Sequence, residues 1–226
     1  ADVGDEPLLL AAAGPAWIAR DRVQGARAAI AAGAQAIIMD DGFQNPGLAK
    51  DLSLLVIDSA QGLGNGRVHP AGPLRERPRD GLARADAVVL LQTGETPATL
   101  PAFEIPVLQA RLIPGVAAEA LRGQRVVAFA GIGRPARFFH TMRELGAELV
   151  GQQAFADHHA YGEDEIWALV EGARELDAIA VTTAKDAVRL PPGARDMVTV
   201  IDVTLMFDRE DALAQLLDRV FLAAGS

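Results

Sequence analysis

Two short clusters in the sequence combine carboxylates with groups suited to proton transfer. Asp157 and His158 adjoin within Phe155–Tyr161, and an Asp–His pair can orient or shuttle a proton. Asp5 lies in Gly4–Pro7, where a carboxylate can act as a base toward a hydroxyl nucleophile. Both patterns also have purely structural explanations. Acids and a proline are favoured in the first turn of a helix, and histidines occur in ordinary surface loops.

A third cluster places two acids after an apolar run. Ile37–Met39 precedes Asp40 and Asp41, and a strand that ends in carboxylates resembles a Walker B segment, which holds Mg²⁺ directly or through water. Gln44 follows in a polar, glycine-containing loop. Adjacent acids at a strand end are also typical of turns, so this motif alone leaves metal binding and a simple turn equally open.

Several basic side chains are candidates for binding phosphate, because their donors match anionic oxygens. The arginines are Arg67, Arg75, Arg77, Arg79 and Arg84, interrupted by Glu76 and Asp80. They indicate either a cradle for an anionic substrate or a solvated face. Glu76 is either a surface ion-pair partner or a further carboxylate near the metal. Lys185 is conspicuous in a chain with few lysines, although Thr182 or Thr183 beside it also fits a helix cap.

The bulk composition limits the classes of protein to consider. The chain has 226 residues, a net charge of -9 and no cysteine. The negative charge argues against non-specific binding to nucleic acid, and the lack of cysteine excludes disulfides and thiolate metal sites. No apolar run approaches the roughly 20 residues that a membrane-spanning helix needs.

Short apolar runs alternate with amphipathic stretches, which predicts an α/β fold with a mostly parallel sheet flanked by helices. We predict strands at 36–39, 54–57, 87–91, 107–112, 125–130, 148–152, 178–182 and 198–203. We predict helices at 22–32, 134–145, 163–174 and 209–222. An aperiodic stretch at 92–106 and a boundary near Pro114 predict two domains, residues 1–113 and 114–226.

Taken in order, these motifs resemble those of one enzyme family. The tetraacyldisaccharide 4'-kinases carry the same succession, which in this chain reads VGDEP, DDGFQ, GNGRVHPAGPLRE, FAGIGRPARFF, DHHAY and TTAKDAVR. The resemblance runs from Val3 to about Arg189, and the order of the motifs is far more specific than any single motif. One position departs from the family pattern, since Asn45 stands where a histidine is usual.

The resemblance implies a P-loop-kinase-like fold with a second, smaller α/β domain. It also implies transfer of the ATP γ-phosphate to the 4'-hydroxyl of tetraacyldisaccharide 1-phosphate. In that reaction Asp5 would accept the hydroxyl proton, with His158 beside it. Mg²⁺ would be held or organised by Asp40, Asp41 and Glu76. The candidates for contacts to substrate or phosphate are Gln44, Arg75, Arg77, Asp157 and Lys185.

The phosphate loop of such kinases is not recognisable in the sequence. Lys50 and Lys185 are each followed by Asp, so the pattern GxxxxGK followed by Ser or Thr does not occur. In the family this loop lies upstream of GDEP, after an N-terminal helix that contacts the membrane. We therefore expect a truncated chain that binds ATP poorly and has little activity alone. The resemblance places the parent enzyme of lipid A biosynthesis at the cytoplasmic face of a Gram-negative inner membrane.

Two other functions are compatible with parts of the sequence. Asp157 and His158 match the short signature of the DHH phosphoesterases, which predicts Mn²⁺-dependent hydrolysis without ATP if Asp40, Asp41 and Asp58 supply the other ligands. A non-catalytic binding module that has lost its phosphate loop is the second alternative.

Overall fold

The computed structural model describes residues 4–93 and 97–224, which form two four-stranded sheets flanked by helices. The strands are β1 Leu54–Asp58, β2 Ala87–Gln92, β3 Val107–Pro114, β4 Arg125–Ala130, β5 Glu148–Ala154, β6 Ile179–Thr183, β7 Thr199–Ile201 and β8 Val203–Phe207. The helices are α1 Asp5–Ala13, α2 Arg22–Ala31, α3 Pro78–Leu82, α4 Val116–Glu119, α5 Pro135–Glu144, α6 Glu163–Glu175, α7 Ala184–Ala187, α8 Pro192–Arg195 and α9 Glu210–Ala224. The predicted α/β fold with mainly parallel strands is confirmed.

The first unit comprises residues 1–18 and 114–204 and is built around the sheet β5-β4-β6-β7, whose neighbouring strands are all parallel. β4 is its most buried strand, and its alternate side chains enter two different cores. Val126 and Ala128 pack with Phe139 and Met142 of α5. Phe129, on the other face, packs with residues of α6. The carboxyl ends of β4, β5 and β6 carry the loops that form the candidate site of this unit.

The second unit comprises residues 19–113 and 205–226 and contains the sheet β1-β2-β3-β8, in which β1, β2 and β3 are parallel. Its core includes Ala87, Val89, Leu108 and Ala110 together with Leu216 of α9. Helix α9 is therefore a structural part of this unit, although it is the last helix in the chain.

The domain division differs from the predicted split into residues 1–113 and 114–226. The chain does change unit at Pro114, but each unit also takes a terminal segment from the other predicted half. Residues 1–18 join the first unit because Asp5 of α1 contacts His158. Residues 205–226 join the second unit because Leu216 packs on β2 and β3. Tertiary contacts between distant segments decide both assignments, and local sequence does not record them.

Two predicted strands are wrong in this structure. Residues 36–39 form no strand, and Ile38 is 97% exposed, so the run has neither the ladder bonds nor the burial that stabilise an apolar strand. The predicted strand 198–203 is broken into β7 and β8 at Asp202, whose carbonyl accepts a hydrogen bond from the N–H of Gly115. The four predicted helices all occur, with ends that move by no more than two residues. None of the helices in the described ranges combines the length and apolar content needed to cross a bilayer.

Candidate active site

Asp5 is the first residue of α1 and lies almost buried at its amino end. Gly4 precedes it in an extended conformation, and Asp5 and Glu6 both occupy the first turn, where the helix dipole stabilises negative charge. Asp5 is only 8% exposed, and its Oδ2 atom lies 3.1 Å from Nδ1 of His158. The sequence left two interpretations of Asp5 open, a helix N-terminus and a base beside a histidine. The structure shows Asp5 both at a helix N-terminus and in contact with a histidine.

The partner histidine lies on the loop between β5 and α6. His158 has a φ of 58°, a left-handed conformation that is uncommon for residues other than glycine but is visited more often by Asn, Asp and His. Its N–H donates to the carbonyl of Gly131 at 3.1 Å, which fixes the loop to the end of β4. Its side chain is 60% exposed, and Nε2 lies 3.8 Å from Oδ2 of Asp157. The imidazole thus contacts the carboxylate of Asp5 while remaining open to solvent.

The charge state of Asp5 results from opposing effects. Burial raises the pKa of the Asp5 carboxyl, but the neighbouring His158, a backbone hydrogen bond and the positive charge of Arg189 outweigh it. The net result is a pKa below the ordinary value of 3.8 for aspartate. Asp5 is therefore ionised at neutral pH, which is the form required of a group that accepts a proton.

A buried carboxylate beside this pair was not predicted from the sequence. Asp186 is fully buried at the start of α7. Its Oδ1 atom accepts hydrogen bonds from the N–H of Gly131 at 2.8 Å and from the hydroxyl of Tyr161 at 2.6 Å. Its Oδ2 atom accepts from the hydroxyl of Thr183 at 2.6 Å, and the Thr183 side chain in turn caps α7. Burial and the adjoining carboxylate raise the pKa of the Tyr161 phenol, which therefore keeps its proton and acts as a donor.

Arg189 completes the charges of this cluster. Its Nη2 atom lies 2.7 Å from Oδ1 of Asp186, and its Nε atom lies 3.7 Å from Oδ2 of Asp5. The guanidinium also lies over the ring of Tyr161, 5.8 Å from its centroid. A buried ion pair of this kind is stable only when its remaining donors and acceptors are satisfied, and here the carboxylate of Asp186 has a donor on each oxygen.

The second unit brings together a different set of predicted residues. Nη1 of Arg75 lies 2.7 Å and 2.8 Å from the two carboxylate oxygens of Asp41, whose φ is 47°. The side-chain amide of Gln44 donates to Oε1 of Glu76 at 3.1 Å. The amide oxygen of Gln44 lies 3.5 Å from Arg75, so Gln44 links the two acids.

Glu76 is held chiefly by an arginine that was predicted only as part of the basic stretch. Arg84 donates two hydrogen bonds to the Glu76 carboxylate, at 2.7 Å and 2.8 Å, and its guanidinium lies over the ring of Phe43. The hydrogen bonds from Arg84 lower the pKa of Glu76, and the weaker effect of the Gln44 hydrogen bond acts in the same direction. Partial burial opposes this change. Glu76 is therefore an anion whose charge is already compensated in this structure.

The three predicted metal ligands are carboxylates, which is the ligand type that Mg²⁺ prefers. Asp41 and Glu76 are paired with arginines, whereas Asp40 is exposed and its backbone carbonyl accepts a hydrogen bond from Arg22. Within residues 4–93 and 97–224, no group of three or more histidine or acidic side chains is arranged to hold a metal ion. The donor chemistry fits Mg²⁺, but in this structure the carboxylates of Asp41 and Glu76 are bonded to arginines.

The remaining predicted contacts lie on exposed positions. Arg77 precedes α3 and its side chain makes no ion pair within the described part of the chain. Lys185 lies on α7, with Nζ 3.4 Å from Oε1 of Glu6. Asp157 accepts a hydrogen bond from the N–H of His158. Three arginines of the basic stretch, Arg75, Arg79 and Arg84, are paired with acids, so the stretch is only partly available to an anion.

Comparison with known proteins identifies the family. The sequence model of the tetraacyldisaccharide-1-P 4'-kinases matches residues 1–222. This chain belongs to that family. It is 56% identical over 219 residues to the tetraacyldisaccharide 4'-kinase of Rhodospirillum centenum and 52% identical over 226 residues to that of Rhodospirillum rubrum. These alignments cover 96% and 98% of this chain, but only 65% and 68% of the two relatives.

A solved structure of the same family has the same fold. The crystal structure of LpxK from Aquifex aeolicus in complex with ATP superimposes with a TM-score of 0.73 at 27% sequence identity. The match covers 96% of this chain and 69% of the Aquifex chain. The family resemblance predicted from the motif order is thereby confirmed.

Three residues around the Asp5–His158 pair were not predicted as site residues from the sequence. They are Tyr161, Asp186 and Arg189. All three lie inside the motifs DHHAY and TTAKDAVR, and Asp186 and Arg189 have the i, i+3 spacing that brings side chains together on a helical turn. That spacing was the feature of the sequence from which the contact between Asp186 and Arg189 could have been predicted. Their burial, however, depends on the loops after β4 and β5.

Proposed function

We propose that this chain carries most of an enzyme that phosphorylates the 4'-hydroxyl of tetraacyldisaccharide 1-phosphate with ATP, a step of lipid A biosynthesis. Support comes from membership of the tetraacyldisaccharide-1-P 4'-kinase family and from similarity to a relative crystallised with ATP. The chain spans about two thirds of the length of its curated relatives, so activity of the whole protein is part of the proposal.

The observation that carries the proposal is the contact between Asp5 and His158. An ionised carboxylate that is nearly buried, and that contacts an exposed imidazole at 3.1 Å, has the composition of a base for a hydroxyl nucleophile. Proton abstraction suits an alcohol acceptor, because the hydroxyl becomes a stronger nucleophile as its proton leaves.

In the proposed reaction the 4'-oxygen attacks the γ-phosphorus of ATP. The new O–P bond forms as the bond from the γ-phosphorus to the bridging oxygen breaks, and ADP leaves with the electron pair. The hydroxyl proton passes to Asp5, while His158 orients the carboxylate and stabilises its charge. Phosphoryl transfer needs little covalent chemistry from the protein, so most of the rate enhancement comes from positioning and electrostatic stabilisation.

We assign Mg²⁺ to the carboxylates of Asp40, Asp41 and Glu76. When bound, the ion neutralises charge on the transferring phosphate. Asp40 is the residue that we propose for direct contact, since its carboxylate is exposed and pairs with no arginine among the residues that the structure describes. Asp41 and Glu76 are held by Arg75 and Arg84 and organise the surroundings of the ion.

We further propose that the anionic groups of the substrate and of ATP meet the basic side chains. Arg77 and Lys185 are exposed or nearly so, and each can turn toward a phosphate with little loss of existing contacts. Arg75 and Gln44 connect the carboxylates of Asp41 and Glu76. Asp157 accepts a hydrogen bond from the backbone N–H of His158 and so helps to hold the loop between β5 and α6. Because the substrate is a glycolipid, we place the enzyme peripherally at the cytoplasmic face of the bacterial inner membrane.

The test is phosphate transfer by the full-length gene product from Mg·ATP to tetraacyldisaccharide 1-phosphate, followed by thin-layer chromatography of the labelled lipid. We expect activity in the wild type and in His140→Ala, an exposed histidine on α5, and near-complete loss in Asp5→Ala and His158→Ala. Hydrolysis of a phosphoester with Mn²⁺ and no ATP, combined with no lipid phosphorylation, would replace this proposal by the phosphoesterase alternative.

A further inference from the structure

Arg189 joins three segments of the first unit through its guanidinium. Nη2 donates to the carbonyl of Gly131 at 2.9 Å, Nη1 to the carbonyl of His159 at 3.3 Å and Nε to the carbonyl of Lys185 at 3.2 Å. These carbonyls belong to the loop after β4, the loop that carries the catalytic histidine, and α7. The planar guanidinium therefore fixes the loop that carries His158 with respect to the end of β4 and to α7.

The position of Arg189 excludes a direct role in binding substrate. Its side chain is only 11% exposed, and its donors are committed to protein carbonyls and to the carboxylate of Asp186. An arginine that binds a phosphate needs donors that are free to face the ligand. The charge of Arg189 instead faces inward, with Nε 3.7 Å from the Oδ2 atom of Asp5 that also contacts His158.

Asp186 determines where this charge lies. It is fully buried, and its hydrogen bond to Nη2 of Arg189 orients the guanidinium. The same carboxylate receives the N–H of Gly131, so it also holds the end of β4 against α7. Removal of Asp186 would leave the arginine with a buried and poorly compensated charge.

We propose that Arg189, clamped by Asp186, is a positioning residue for the Asp5–His158 pair. It orients the histidine loop through the carbonyls of Gly131 and His159, and it stabilises the ionised base. The role rests on the proposed kinase function, in which Asp5 must be ionised before the hydroxyl proton is transferred. Nothing in the motif pattern alone assigns such a role to this arginine.

Other charged groups near Asp5 also bear on its ionisation. Among the residues that the structure describes, the charged or titratable groups around it include His158 and Asp157 from the loop after β5, Glu6 on α1, Lys185 and Asp186 on α7, and Arg189. Lys185 is compensated by Glu6, and Asp186 by Arg189. Arg189, with Nε 3.7 Å from Oδ2 of Asp5, is a cation whose charge does not depend on pH near neutrality.

The experiment compares Arg189→Met, Arg189→Lys and Arg174→Met, the last removing an exposed arginine of α6 as a charge-matched control. Carbon-13 spectra of this chain follow titration of the Asp5 carboxyl, assigned by its disappearance in Asp5→Asn. We expect the Asp5 titration to move to higher pH in Arg189→Met and to stay at the wild-type position in Arg174→Met. An unchanged titration in a folded Arg189→Met overturns the electrostatic role.

Kinetics of the full-length gene product provide the second readout. We expect kcat to fall roughly 100-fold in Arg189→Met and about tenfold in Arg189→Lys, which keeps the charge but loses the fork, with KM for the lipid nearly unchanged in both. The acid limb of the kcat profile should move to higher pH only in the methionine variant. Should Arg189→Met not fold, Arg189→Lys decides alone, since wild-type kcat in that variant contradicts the orienting role. A shifted Asp5 titration in a protein without kinase activity would contradict the proposed function while confirming the electrostatic effect of Arg189 on Asp5.

Discussion

The Nδ1 atom of His158 lies 3.1 Å from Oδ2 of Asp5, although the two residues are 153 positions apart in the sequence. One is delivered by the amino end of α1 and the other by a loop in left-handed conformation between β5 and α6. Their contact makes α1 part of the first unit. It also places the imidazole at the carboxylate oxygen that lies 3.7 Å from Nε of Arg189.

Replacing Asp5 by asparagine removes the carboxylate that we propose as the proton acceptor and keeps the shape of the side chain. We expect kcat for lipid phosphorylation to fall by about 10³, within the range typical of general-base catalysis. For His158→Gln we expect a loss of roughly 10- to 100-fold. The double variant should be little worse than Asp5→Asn alone, because groups that act as one unit are not additive. Losses that multiply would mean that the two residues work independently.

The lowered pKa of Asp5 also predicts how stability depends on pH. Because its pKa in the folded chain lies below the ordinary 3.8, ionised Asp5 contributes stability that is fully present above pH 3.8 and is lost as the pH falls through the folded pKa. Urea unfolding over a series of acidic pH values should therefore show a shallower loss of stability in Asp5→Asn than in the wild type. Asp196→Asn, at an exposed carboxylate, is the control and should retain the wild-type slope.

Much of this arrangement could be predicted from sequence patterns. The run of buried residues in β4 and the amphipathic helices α5 and α6 have clear periodicity, and their boundaries were predicted to within two residues. The succession of motifs identified the family. The roles of Asp5 and His158, however, came from that resemblance, since each motif alone was compatible with a helix start or a surface loop.

The partners of charged groups could not be predicted. Asp41 and Glu76 were expected to face a metal, yet each faces an arginine in this structure. The role of Asp186 could not be predicted from the sequence, because its burial depends on donors from the end of β4 and from the loop that carries Tyr161. A local sequence pattern shows which side chains carry charge. Which oppositely charged side chain each of them contacts depends on how distant segments of the chain pack together.

Asp186→Ala tests whether the buried carboxylate stabilises the first unit. The change removes the acceptor of Gly131, Tyr161 and Thr183 and leaves the charge of Arg189 poorly compensated, because the Asp5 carboxylate lies farther away, 3.7 Å from Nε. We expect a loss of about 3–5 kcal/mol in the free energy of unfolding, measured by urea denaturation. Asp196→Ala, an exposed control, should change it by less than about 0.5 kcal/mol. Equal effects of the two substitutions would show that the network contributes little.

The two adjacent acids should respond differently to magnesium. Asp40→Asn removes the carboxylate that we propose for direct contact, so the Mg²⁺ concentration for half-maximal activity should rise at least tenfold. Asp41→Asn releases Arg75 and should lower kcat with a smaller effect on the Mg²⁺ requirement. Initial rates measured over a range of Mg²⁺ at fixed ATP separate the two effects. Identical Mg²⁺ curves for both variants would contradict the assignment of distinct roles.

Arg77 and Arg79 provide a matched pair for testing the basic stretch. Both are exposed, but Arg79 is paired with Asp80 at 3.3 Å, whereas Arg77 has no ion-pair partner within the described residues. An uncommitted guanidinium can bind a phosphate without first losing another contact, so Arg77→Ala should raise KM for the lipid or ATP about five- to tenfold, and Arg79→Ala should have little effect. The increase should shrink at high salt, because exposed charges are screened. If the two variants raise KM equally, the stretch attracts anions through its overall charge, and Arg77 has no particular role.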